Sequence, residues 1–155
     1  MFYSSKYGIY SGSNNWKGLA AGDFFGDAKS EIIALNDHAD ANENGFYVLK
    51  IENNDIVEQA RYTGYGAQSE WAGIAAGNYI SGGKDDVVAV RNFDKTVFVY
   101  QFNGNTFQSV QVNVLNLPAD SKIKAVASGN LDGDTKDEIV LLVDTNDGTQ
   151  NGIHV

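Results

Sequence analysis

One short pattern occurs three times in this chain. Trp16-Lys17-Gly18-Leu19-Ala20-Ala21-Gly22-Asp23-Phe24 returns as Trp71-Ala72-Gly73-Ile74-Ala75-Ala76-Gly77-Asn78-Tyr79. It returns more loosely as Ile123-Lys124-Ala125-Val126-Ala127-Ser128-Gly129-Asn130-Leu131. The glycines that close the pattern, Gly22, Gly77 and Gly129, stand 55 and then 52 residues apart. A period of that size marks one supersecondary unit, repeated, whose apolar face is buried only against a neighbouring unit. Such an array works through surfaces and loops shared between units, which makes a single buried catalytic pocket a poor expectation.

Each unit reads as short strands. The expected strands of the first are 18–24, 31–36, 46–52 and 56–63, and of the second 73–79, 86–92, 96–103 and 106–112. The third offers 124–131, 138–144 and 153–155. Val87-Val88-Ala89-Val90 and Ile139-Val140-Leu141-Leu142-Val143 are continuous apolar runs of strand length, as expected of strands covered on both faces. Val97-Phe98-Val99-Tyr100-Gln101-Phe102 is β-branched and aromatic. Asn44-Gly45, Asn103-Gly104 and Asn151-Gly152 are turn signals, because asparagine and glycine accept positive φ. No window shows a 3.6-residue apolar period. The fold class expected is therefore all-β, with units over 13–66, 67–117 and an incomplete 118–155. Residues 1–12 are expected to supply the outer strand that completes the last unit, either within one chain or from a second.

The chain has 155 residues, 43% of them hydrophobic, which is enough for a packed core. Seventeen glycines and one proline fit many tight turns. Twenty acidic residues against 11 basic ones give a net charge of −9, which argues against a nucleic-acid partner and suits cation binding. Without cysteine there are no disulfides and no thiolate metal sites. No apolar run is long enough to span a bilayer as a helix, and the opening Met1–Lys6 segment does not read as a signal peptide.

In the first and third copies the motif continues as Gly22-Asp23-Phe24-Phe25-Gly26-Asp27 and Gly129-Asn130-Leu131-Asp132-Gly133-Asp134, each followed by an acidic residue and a pair of β-branched ones. These residues resemble the FG-GAP/VCBS repeats, the units of integrin-alpha-type β-propellers and of many bacterial secreted proteins. The resemblance spans nearly the whole chain. It implies four-stranded antiparallel blades set around an axis, and roughly 4–8 of them close a ring. With three blades here, it implies assembly, a two-chain, six-bladed ring being favoured. It also implies an extracellular or secreted setting and a non-catalytic binding or adhesion role towards a glycan or protein. The alternatives are a purely structural segment or an accessory part of a larger secreted enzyme.

In this family the loop between the first two strands often binds calcium, which needs oxygen ligands at alternate positions and a closing carboxylate. The third loop matches best, with Asn130, Asp132, Asp134, the Lys136 carbonyl and Glu138, although Thr135 stands where glycine is usual. The first loop keeps Asp23, Asp27 and Glu31 but places Phe25 at a ligand position. The second loop loses two ligand positions, at Ile80 and Gly82.

Trp16, Trp71, Tyr65 and Arg91 are candidate ligand contacts. An indole face can stack on a sugar ring, yet the same tryptophans could be wedges between blades. Arg91 could meet an anion, or could simply pair with a loop carboxylate. His38 and His154 fall at unrelated repeat positions and make no ligand set. Nucleophile elbow, phosphate-binding glycine loop and His-x-x-His motif are all absent from the sequence, so no enzyme activity is expected.

Overall fold

A computed structural model describes residues 6–8, 13–66, 69–80 and 83–155. Its secondary structure is eleven β-strands, with no helix among the described residues. The first unit comprises β1 (Trp16–Gly22), β2 (Glu31–Asn36), β3 (Gly45–Glu52) and β4 (Asp55–Thr63). The second comprises β5 (Trp71–Gly77), β6 (Asp86–Arg91), β7 (Thr96–Phe102) and β8 (Phe107–Val114). The third comprises β9 (Lys122–Gly129), β10 (Glu138–Asp144) and β11 (Gly152–His154). Each unit is an antiparallel meander, giving sheets ordered β1-β2-β3-β4, β5-β6-β7-β8 and β9-β10-β11. The sheets meet along their first strands, β1 beside β5 and β5 beside β9. They do not close into a ring. The segment 1–12, expected as an outer strand, lies mostly outside the described residues; residues 6–8 form no strand, and Tyr7 rests on the first sheet.

The repeat extends to register. Gly22 faces Glu31, Gly77 faces Asp86 and Gly129 faces Glu138. All three first strands carry the same bulge, leaving Lys17, Ala72 and Lys124 without a cross-strand partner. This bulge lets the first strands begin earlier than the alternation suggests. The β3–β4 and β7–β8 pairs share a second bulge, at Gln59 and Val110. Gly45 and Gly152 open the equivalent third strands with φ of 148° and 146°. A Cβ at Gly45 would lie 2.1 Å from the Tyr62 carbonyl oxygen, so no side chain fits there.

Small residues in the first strands permit the close approach of sheets. A Cβ on Gly22 would come within 2.7 Å of Asp85 Oδ2, and one on Gly77 within 2.6 Å of Asp137 Oδ2. Between the first two sheets lies an aromatic core built on Phe24, Phe46, Trp71, Tyr100 and Phe107, with Phe46 against Tyr100 and Phe107 at 5.2 Å. Between the second and third sheets the core is aliphatic: Val88, Val90, Val97 and Val99 against Ile123, Leu141 and Val143. Strand β6 faces both cores, which is why Val87 to Val90 are fully buried without alternation.

Candidate functional site

The loops between first and second strands share one anchor. The carboxylate that opens the second strand accepts backbone N–H groups from the loop. Glu31 Oε2 takes the Phe24 N–H at 3.1 Å. Asp86 Oδ2 takes those of Tyr79 and Ile80 at 3.3 and 3.0 Å. Glu138 Oε2 takes the Leu131 N–H at 2.6 Å. The glycine–acid cross-strand pair at the mouth of each loop sets this geometry.

The residue before each anchor in the second and third units has a different task. Asp85 Oδ2 accepts the Asp23 N–H at 2.8 Å, and Asp137 Oδ2 accepts the Asn78 N–H at 2.8 Å. The N–H groups of Asp85 and Asp137 donate back to the Asp23 and Asn78 carbonyls, both at 2.9 Å. In each adjacent acid pair, one carboxylate stitches two sheets together and the other holds its own loop. Sequence reasoning sees the pairs but not this division, because the partner lies in the previous repeat.

The loops differ in what balances their charge. In the first, both Asp23 oxygens are engaged by loop N–H groups of Gly26, Asp27 and Ala28 at 2.7, 3.0 and 2.8 Å. The Lys50 ammonium sits 3.1 Å from Asp27 and 3.5 Å from Glu31. Glu31 is fully buried, and burial raises its carboxyl pKa against the opposing pull of Lys50 and the loop N–H groups. In the second loop Gln101, at the register position of Lys50, donates to Asp86 Oδ1 at 3.0 Å.

The third loop brings Asp132, Asp134 and Glu138 together, with one oxygen of each within 4.8 Å of the others. Among the described residues no lysine or arginine pairs with any of the three. Asp132 Oδ1 accepts the Asp134 N–H at 3.0 Å and Asp134 Oδ1 accepts the Lys136 N–H at 2.6 Å. The Asn130 side chain turns into the loop backbone, its amide oxygen accepting the Gly133 N–H at 2.6 Å and its NH2 donating to the Asp134 carbonyl. Thr135 does not adopt the positive φ of Ala28 (62°) and Gly83 (72°) at the same loop position, because a β-branched side chain disfavours it. Its carbonyl instead accepts from Asn78 Nδ2 at 3.0 Å. Asp134, Lys136 and Glu138 also line a cleft of about 360 Å3 between the second and third sheets. Clustered hard oxygen donors of this kind suit calcium or magnesium better than a softer metal.

The four candidate ligand contacts lie apart from this loop. Trp71 is buried between the first two sheets, its indole N–H donating to Asn44 Oδ1 at 2.8 Å. Tyr65 packs edge-on against Trp71 at 4.9 Å and on Phe98 at 6.0 Å. Arg91 is paired with Asp94 and lies over the Phe98 ring at 4.7 Å. Trp16 alone is well exposed, at 44%, with one edge against Tyr47 at 5.5 Å. Compared with family models and with curated proteins, the chain matches none.

Proposed function

We propose that this chain is a calcium-stiffened, non-catalytic binding module built of integrin-alpha-type propeller blades. Its ligand is a glycan or protein met by the loops, in an extracellular or secreted setting. The observation that carries this reading is the contrast between loops. Lys50 pairs with Asp27 and Glu31 in the first and Gln101 satisfies the anchor of the second, while Asp132, Asp134 and Glu138 share a small volume with no cationic partner among the described residues. A divalent cation relieves that repulsion, and extracellular modules bind calcium in the range of about 10⁻⁴–10⁻³ M. Calorimetric titration of the chain with calcium tests the reading, followed by a glycan array with calcium and with chelator. Calcium-dependent retention on the array supports it. Absence of calcium heat overturns the metal part, and a silent array overturns the glycan part.

The second reading is a purely architectural blade segment. Its support is that Trp71, Tyr65 and Arg91 are all engaged in packing between or within sheets. A calcium response without any ligand favours this one.

A further inference from the structure

The two internal junctions are built on equivalent positions, and both halves of a third junction stand exposed at the ends of the array. In the first junction a β-branched side chain, Ile74, lies against Gly18, where a Cβ would be 3.3 Å from Ile74 Cγ2. In the second, Val126 lies against Gly73, where a Cβ would be 3.1 Å from Val126 Cγ2. The register positions left over are Leu19 on the first sheet and Ala125 on the third. Leu19 is 72% exposed. Where the receiving residue has a methyl group, the incoming side chain branches one carbon further out and leaves room for it.

The upper rim matches in the same way. At the first junction the Asp37 carboxylate stands beside the Trp71 backbone N–H, and Asn44 accepts the Trp71 indole N–H at 2.8 Å. At the second junction all three residues change together. Asn92 clamps the Ile123 backbone through bonds of 2.7 and 3.0 Å, Lys95 stands at the position of Asn44, and isoleucine replaces tryptophan. The free face of the third sheet returns to the first set, with Asp144 and Asn151-Gly152 at the positions of Asp37 and Asn44-Gly45. The free face of the first sheet offers the tryptophan, Trp16. In the free chain the Asn151 amide oxygen accepts locally from Thr145. At the lower rim Ser30 holds the position of Asp85 and Asp137, so a hydroxyl would face the Asn130 N–H.

Both faces are apolar. Leu142 and Ile153 are 47% and 73% exposed on the third sheet, at positions whose counterparts in the first two sheets are buried. A cleft of about 620 Å3 opens beside Leu19 on the first. Tyr7 lies over Tyr47 and Leu49 there, much as Tyr65 lies on Phe98 of the second sheet.

The geometry points to head-to-tail association of copies of this chain, in which the free face of the third sheet receives the first sheet of a second copy, with Trp16 entering between Asp144 and Asn151 and Leu19 seating on Ala125. This goes beyond the binding role and does not depend on calcium. The occupant is a second copy, and not an arbitrary apolar partner, because the exposed third-sheet residues repeat the set that accompanies tryptophan and the exposed first sheet carries that tryptophan.

Light scattering and sedimentation of the whole chain test it. The expected mass is a whole-number multiple, two or more, of 16.8 kDa. Leu19→Glu and, independently, Ala125→Arg should each return it to that of one folded chain, with the β-sheet circular dichroism retained. Both residues are exposed, so neither substitution need disturb the single chain. A wild-type mass of one chain at the highest soluble concentration overturns the proposal. So does an assembly that survives both substitutions.

Discussion

The indole N–H of Trp71 and the amide oxygen of Asn44 meet at 2.8 Å across the first junction, both residues buried. Asn44 also donates to the Gly66 carbonyl and to Ser69 Oγ, at 2.7 and 3.0 Å, so its amide plane is fixed before the indole arrives. Replacing Trp71 by phenylalanine leaves that buried oxygen without its donor. The expected loss of stability is about 1–3 kcal/mol, read from urea unfolding. Trp16→Phe in the Leu19→Glu background, where no second copy covers it, should change stability by less than about 0.5 kcal/mol. Equal losses at the two positions would mean that the interfacial bond contributes little.

Gly77→Ala places a methyl group 2.6 Å from Asp137 Oδ2, which is held by the Asn78 N–H and cannot easily withdraw. We expect a loss of about 1–3 kcal/mol. Gly129 has nothing within 4 Å of the equivalent position, so Gly129→Ala should stay within about 0.5 kcal/mol in the single chain. Thermal melts of both variants in the Leu19→Glu background make the comparison. A neutral Gly77→Ala would show that the sheets can separate by the necessary few tenths of an ångström.

Glu31 gives a pH signature. Burial raises its carboxyl pKa, so the folded chain holds this proton more tightly than the unfolded chain. The cost of the buried charge is full above the folded pKa and is relieved as pH falls through the window down to the unfolded value. Glu31→Gln removes that dependence. Relative to the parent, the variant should therefore gain stability on going from roughly pH 4 to roughly pH 7. Urea titrations at several pH values measure the difference, and parallel curves for the two proteins would show that Lys50 cancels the burial effect.

Calcium at 100 times its Kd should stabilise the parent by about 2.7 kcal/mol, seen as a rise in melting temperature. Asp132→Asn combined with Asp134→Asn should remove most of that rise. Asp23→Asn should leave the rise in place, since its carboxylate is engaged by three loop N–H groups. An unchanged response in the double variant would assign the ion to another loop.

The repeat made the strands legible. Glu31–Asn36 and Glu138–Asp144 fall where the apolar runs place them, and the other strands differ at their ends by one or two residues. First strands start early because a bulge at Lys17, Ala72 and Lys124 keeps them paired beyond the regular alternation. The acidic positions of the third loop were legible through the family resemblance, and Asp132, Asp134 and Glu138 do come together in one turn. The differing balance of the loops was not legible, because Lys50 and Gln101 reach the loops from third strands far along the chain. The enclosure of Trp71 agrees with the reading of a wedge between blades, while Trp16, which opens the same motif, stands exposed.

Each of the three turns is gripped by an acid that belongs to the following strand and not to the turn itself. The mouth of each turn is thereby fixed from outside, whatever the side chains within it contribute. Phe25, Ile80 and Asp132 can differ in chemistry at one position while the scaffold beneath them stays constant. A lineage built this way can exchange side-chain chemistry one turn at a time without renegotiating its architecture.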